Sequence, residues 1–368
     1  MEIVHVAGVY PPHLGGQELV VQRLASSLAD RHDVTVYTSD VGRGDAPRFE
    51  PSGRLKVFRD RAVRVGTTPV VPRLAARLLH HRPTPDVLHA HGGVAVAPEL
   101  VRLASGLRRI PYLAHVHGTV RPSSRAGRLL LPAYQRTLST RFLRAAYLVI
   151  CLTETMRGEV IETFGVSPER TVVIPNGVDT DLFHPDDVIR RAAKDLLFVG
   201  RLSPEKNPLL AIDMMAALPD DVTLHIVGAG ELEEEIRRRV AALGLRNVRL
   251  EGRRSHAELA ANYRRATAVV MTSVSEGVPL ALLEAMATGT PVICTGLRSL
   301  VETGGDAVIP VRPATAAGLA AAARGLMSDP LLQRRLSVAG RRRAARYTWV
   351  AVAAAVEDLY LRVRAERR

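Results

Sequence analysis

At 368 residues the chain is too long for one ordinary domain and sufficient for two, each with a core large enough to fold without disulfide staples. Hydrophobic content of 47% and charged content of 24% are those of a globular protein, and no apolar run reaches the roughly 18 residues a spanning helix needs. The formal charge of +13 raises nucleic-acid binding as a function, but an aromatic content of 4% leaves little stacking platform and no nucleic-acid motif is present.

The opening MEIVHVAG reads as a first strand rather than a leader, so a cytoplasmic protein is expected. From there strand-like runs alternate with helix-like ones, the pattern of parallel sheets covered on both faces. The first half predicts strands at IVHVAG, DVTVYT, LKVF, DVLHAH, PYLAHVHG and AYLVICL, with helices over 17–30, 74–82, 98–108, 130–145 and 154–163. Turn-forming Pro, Asn, Gly and Asp in VVIPNGVDTDLFHP make 175–194 the expected linker between two doubly wound domains, 1–180 and 181–349. A second series follows at DLLFVG, VTLHIVG, VRLEG, AVVMTS, PVICT and AVIPV, with helices over 208–217, 231–243, 256–265, 279–288 and 314–328. Two more helices close the chain. Cys151 and Cys294 lie inside strand-like runs, as buried packing residues would, and support neither a disulfide framework nor a metal site.

Ligands of open α/β sheets collect at the carboxyl ends of strands, and every candidate site residue sits at such an end. In YPPHLGGQE, Gly15 and Gly16 lead into a helix whose unblocked N–H groups can face an anion; the run is not the dinucleotide fingerprint G-x-G-x-x-G. In FVGRLSPEKNP, Arg201 and Lys206 follow a strand. Only three of the 50 basic residues are lysine, so Lys206 stands out. A planar fork beside a compact ammonium suits a diphosphate, and a solvated loop pair is the alternative. HIVGAGELEEE is read as a tight strand-to-helix turn, because its first-turn acids would repel a pyrophosphate.

The stretch SEGVPLALLEAMATGTPVICT, residues 275–295, sets Glu276 and Glu284 into otherwise apolar or small surroundings. Pro279 suits the first helical position, and the free N–H groups of Leu280 and Ala281 point to the same space as the carboxylates. Carboxylates that accept from hydroxyls beside an anion site meet both needs of a sugar joined to a phosphate. The alternatives are an arginine partner for Glu284 and a capping role for Glu276. His115 and His117 in YLAHVHGTV are read as alternating to opposite faces, with His117 at the strand end, and His89 and His91 in VLHAHGG likewise. Metal binding would need a clustered third ligand, which the sequence does not identify, so no metal is expected.

Taken together these residues resemble the GT-B nucleotide-sugar glycosyltransferases, specifically the retaining family four, or glycosyltransferase group 1. SEGVPLALLEAMATGTPVI is similar to the E-x7-E segment of that family, written E-G-F-G-L-x-x-x-E-A-M-A-x-G-x-P-V, and FVGRLSPEKN, GAGELEEEI, VIPNGVD, the N-terminal Gly-Gly loop and the terminal helices match in order. The resemblance covers nearly the whole chain. It implies two Rossmann-like domains facing across a cleft, the first with a C-terminal helix, about 350–368, packing back on it. It implies hexosyl transfer from a UDP-, GDP- or ADP-sugar to a hydroxyl acceptor, without a metal. Glu284 would bind the ribose hydroxyls and Glu276 the hydroxyls of the transferred sugar. Arg201 and Lys206 would neutralise the departing diphosphate, with Gly16 contacting it and His117 near the anomeric centre. The chain departs from the family at Gly277-Val278-Pro279-Leu280, where Pro279 has no N–H for a donor-sugar contact.

Between Arg54 and Arg144, 17 Lys and Arg accompany only Asp60, Asp86 and Glu99. RLAARLLHHR and RLLLPAYQRTLSTRFLR mix arginines with leucines at helical spacing, as a helix on an anionic bilayer would. Residues 54–144 are therefore expected as a peripheral contact with the inner face of a membrane, serving a glycan or lipid-linked acceptor. The alternative is a solvated face. A nucleotide-sugar epimerase or dinucleotide-dependent oxidoreductase fits the architecture but lacks its fingerprint.

Overall fold

The computed structural model describes residues 1–13, 15–65, 68–92, 96–118, 135–186 and 194–366. Two compact units emerge, Met1–Asn176 with Trp349–Arg368, and Gly177–Thr348.

The first unit is built on an eight-stranded sheet in the order β10-β9-β8-β7-β1-β2-β4-β3. Its strands are β1 (Glu2–Ala7), β2 (Asp33–Ser39), β3 (Phe49–Ser52), β4 (Leu55–Asp60), β7 (Val87–His91), β8 (Tyr112–Val116), β9 (Leu148–Cys151) and β10 (Thr171–Val173). Strands β5 (Val63–Val65) and β6 (Thr68–Val70) form a separate hairpin. All pairings in the large sheet are parallel except β3 with β4. The continuous burial of β1, β7 and β8 is what helices on both faces impose. The exception follows from Gly53, whose positive φ of 58° closes a tight reversal that puts the exposed β3 on the edge. Of the expected helix 130–145, residues up to 134 lie outside the described ones; a π-helical turn at Gln135–Ser139 leads into the helix Thr140–Ala145.

The terminal helix Trp349–Ala365 belongs to this unit. It buries Val352, Val356, Leu359, Tyr360 and Val363 and lies against the helix Gly16–Ala29 and β7. Glu357, itself buried, pairs with His32 Nε2 at 2.7 Å and with Arg31 at 2.5 Å, so its charge is compensated where it is desolvated.

The second unit carries a parallel sheet in the order β13-β12-β11-β14-β15-β16, from β11 (Asp195–Val199), β12 (Thr223–Val227), β13 (Val248–Gly252), β14 (Ala268–Met271), β15 (Val292–Thr295) and β16 (Val308–Val311). One face of the core joins Leu196, Phe198, Leu224 and Ile226 to Ile212, Met215, Leu319 and Ala323 from the covering helices. Val178 donates its N–H to Tyr347 O at 2.7 Å, which ties together the two places where the chain joins this unit.

Candidate active site

In the second sheet the chain runs outward from β11 through β12 to β13, then returns to β14 on the other side of β11 and continues to β16. The loops after β11 and β14 therefore diverge and leave a crevice at the carboxyl ends of the strands. Both sequence-predicted loops lie there. They are knit at the backbone: the Thr272 hydroxyl donates to Lys206 O at 3.0 Å and Asn207 O at 2.8 Å, and Val274 N–H donates to Glu205 O at 2.8 Å. Across this seam Lys206 Nζ meets Glu276 Oε1 at 2.5 Å, and the Ser273 hydroxyl donates to the same oxygen at 2.6 Å. Arg201, in the same loop after β11, is exposed. Glu276 is thus an ion-paired carboxylate rather than the capping acid that was the alternative.

The helix Leu280–Ala287 starts one residue later than expected, with Pro279 as its N-cap in extended geometry. Leu282 N–H is the first to bond back, to Pro279 O at 3.1 Å, which leaves the N–H groups of Leu280 and Ala281 at the open helix end. Gly277 and Pro279 are buried. Glu284 is only 6% exposed, and its partner is not an arginine: the Tyr263 hydroxyl donates to its Oε2 at 2.9 Å. Burial pushes the Glu284 pKa up to about 7, partly opposed by that hydrogen bond. Near neutral pH the group therefore exchanges between a carboxylate that accepts from alcohols and an acid that can donate.

The Gly-Ala-Gly turn after β12 positions the Arg201 loop through its backbone. Gly200 N–H donates to Val227 O at 3.0 Å and Leu202 N–H to Ala229 O at 3.1 Å. A Cβ on Gly228 would lie 1.8 Å from Gly200 O, and one on Gly230 would lie 2.3 Å from Leu202 O, so both glycines are needed for close backbone approach.

In the first unit Gly15 caps the helix Gly16–Ala29. The expectation of an unblocked helix end needs correction. First-turn Glu18 is 6% exposed, holds His13 Nδ1 at 3.0 Å, and places Oε2 2.2 Å from where a Gly15 Cβ would be. Its charge already sits at that helix end.

The histidine reading also needs correction. Residues two apart on a strand share a face, and His115 and His117 stack at 4.1 Å between ring centroids, as His89 and His91 do at 4.3 Å. Parallel register sets His5 opposite His89 and His91 opposite His115, so five imidazoles gather on one face. The clustered third nitrogen that the sequence did not reveal is therefore present, in His5, His89 and His91 and again in His91, His115 and His117. The signal was the spacing of H-x-H on two strands with a further histidine in β1.

The leucines taken as membrane-facing also have another task. Leu74 and Leu78, with Phe142 and Leu143 beyond them, are core residues exposed by 3% or less. Among the arginines of the window, Arg54 pairs with Asp33, Arg59 with Glu50, Arg77 with Asp60 and Arg102 with Glu99. No helix among the described residues is long and apolar enough to cross a membrane.

Comparison with known proteins decides the family. Glycosyltransferase Family 4 matches residues 14–182 and Glycosyl transferases group 1 matches residues 179–343. A D-inositol 3-phosphate glycosyltransferase of Frankia alni is 32% identical over 75% of this chain and 74% of its own length. The chain is a group 1 glycosyltransferase of family 4.

This glycosyltransferase is also 29% identical to a glycogen synthase of Mycobacterium tuberculosis, over 98% of this chain and 94% of that protein. Its fold matches the HepE protein of Anabaena, solved in complex with UDP-glucose, with a TM-score of 0.78 at 21% identity, covering 98% of this chain and 99% of the other. The two α/β units are those of GT-B glycosyltransferases, and membership of this family removes the epimerase and oxidoreductase alternatives.

Proposed function

We propose that this glycosyltransferase moves a hexosyl group from a nucleotide-diphosphate sugar to an acceptor hydroxyl, with retention and with no metal ion at the diphosphate. The observation that carries the reading is the Lys206–Glu276 pair at the switch point, beside the open N-terminus of Leu280–Ala287. The UDP-glucose of the Anabaena complex supports a donor of this class.

Breaking the bond between sugar C1 and the phosphate oxygen sends its electron pair onto the diphosphate. Arg201, Lys206 and the Leu280 and Ala281 N–H groups supply positive charge and fixed dipoles for that product, and aligned groups of this kind lower a barrier because they favour the charge only as it develops. The acceptor oxygen bonds to C1 on the face from which the diphosphate departs, and its proton passes to a leaving phosphate oxygen. Glu276 binds hydroxyls of the transferred sugar once Lys206 turns to the phosphate. Glu284 accepts from the ribose. The acceptor is the hydroxyl of a glycan, free or lipid-linked, met at the inner face of a membrane.

The test is a screen of UDP-, GDP- and ADP-sugars by thermal shift and by donor hydrolysis. One base is expected to raise the melting temperature and to be hydrolysed slowly. Glu284→Ala is expected to weaken that nucleotide by about 10- to 100-fold, the worth of hydrogen bonds to a charged group. A wild-type protein that answers to none of the three, but to a nicotinamide cofactor, would refute the reading.

A further inference from the structure

The arginine-rich window of the first unit carries an inference that stands apart from the transfer reaction. We propose that a cavity between the helix Leu74–His80 and the sheet binds a small soluble ligand bearing phosphoryl groups, held by Lys56, Arg73 and Arg82.

The fold builds this cavity on one face of β2 and β4. Register pairs Thr35 with Lys56 and Tyr37 with Phe58, and residues two apart on a strand share a face, so these four side chains form its floor. Arg73, Ala76, Arg77 and His80 recur at helical spacing and line the wall. The volume is about 530 Å³, inside the range of roughly 300–1,000 Å³ usual for small-molecule sites. Glu2, Thr35 and Lys56 lie within the first three residues of β1, β2 and β4, and Arg82 precedes β7. This end of the cavity is therefore opposite the carboxyl ends of the strands, where the substrates of α/β sheets collect.

The charges around it do not balance. Every acid nearby is already engaged: Glu2 Oε1 holds His81 Nε2 at 2.8 Å, Asp60 accepts from Arg77 at 3.0 and 3.2 Å, and Asp33 pairs with Arg54. Lys56, Arg73 and Arg82 form no ion pair among the described residues. Instead Arg82 and Arg108 both donate to one neutral acceptor, His81 O, each at 3.0 Å. Cations left facing one another in this way repel. Burial and then Arg82 lower the pKa of Arg108; burial lowers that of His81, and Arg108 and Lys56 lower it further against the pull of Glu2. An anion bound among these groups offsets the repulsion.

Phosphoryl oxygens match the donors. A guanidinium fork meets a phosphate with two parallel N–H···O bonds, and an ammonium adds a compact charge. Three separate cations suit two linked anionic groups, as in a pyrophosphate or a bisphosphate, better than one carboxylate. The floor also offers an apolar ring to the body of a ligand: Phe58 lies 4.5 Å below the Arg77 guanidinium and 5.5 Å from the Tyr37 ring.

The test uses the full chain and its scarcity of lysine. Lys56, Lys194 and Lys206 are the only three, so acetylation followed by mass spectrometry reports each place separately. At constant ionic strength, saturating inorganic pyrophosphate is expected to slow acetylation of Lys56 by at least about fivefold and to leave Lys194, which pairs with Asp221, unchanged. Lys206 reports the second unit, so failure of the donor reading and failure of this one are told apart. Arg73 and Arg82 are exposed, and replacing both by alanine is expected to leave the melting temperature little changed while raising the pyrophosphate concentration needed for protection about tenfold. Phosphatidylglycerol vesicles form the comparison arm. Equal acetylation of Lys56 with and without pyrophosphate, equal protection in the folded double variant, or protection by the vesicles alone would each overturn the proposal, the last by assigning the cations to a membrane surface.

Discussion

Glu284 is a buried carboxylate that the fold keeps although burial penalises its charge. Its pKa rises from the ordinary 4.5 to about 7, so the folded chain holds a proton that the unfolded chain releases. Stability therefore falls as the pH rises from about 4.5 to about 7 and then levels off, by at most about 3 kcal/mol for a shift of this size. Urea unfolding is expected to find Glu284→Gln more stable than wild type at pH 8, by up to that amount, and little different near pH 4, since the amide oxygen can still accept from Tyr263. A ribose that donates to the ionised group would strengthen nucleotide binding as the pH rises toward and past 7. Calorimetry at pH 6 and pH 8 is expected to show this gain in wild type and to show less of it in Glu284→Gln. Equal pH dependence in both proteins would remove Glu284 from the ribose site.

At the level of elements, the loops around the candidate site are fixed by backbone approach. Gly228→Ala sets a Cβ against the Gly200 carbonyl at a position with φ of 149°, where neither atom can yield cheaply. It is expected to cost about 1–3 kcal/mol of stability and to lower transfer by displacing Arg201 and Lys206, measured by chemical unfolding beside a turnover assay. Gly244→Ala is the contrast: it also has positive φ but lies in open space, so it bears the backbone strain without the collision. Much at this scale was readable beforehand. Apolar runs marked the parallel strands, and proline and glycine marked the loops. What escaped was what depends on neighbours distant in sequence. Tyr263 reaches Glu284 only because the helix His256–Arg265 lies beside Leu280–Ala287, and Glu18 is seen to fold over Gly15 only once the loop is built. The common face of the histidines followed from strand period alone, but His5 needed the register of β1 on β7.

On the scale of the whole molecule, the chain completes its first unit with its last helix. Removing residues 349–368 would uncover the surface that receives Val356, Leu359, Tyr360 and Val363, each a contact of about 1.5–3 kcal/mol for the larger apolar side chains. Hydrogen exchange of the truncated chain is expected to show lost protection in β1, β2 and β7, with β11 to β16 retaining theirs. Uniform loss across both units would show that they do not hold their structure separately. The central claim is that the switch point of the second unit grips a nucleoside diphosphate, with Glu284 on the nucleoside and Lys206 on the phosphates. The measurement that tests it most directly is the affinity of a nucleoside and of its diphosphate, for the base found by the screen, in wild type, Glu284→Ala and Lys206→Ala. Glu284→Ala is expected to weaken both ligands alike, and Lys206→Ala to weaken the diphosphate at least tenfold while sparing the nucleoside. Diphosphate binding undiminished in both variants would contradict the account.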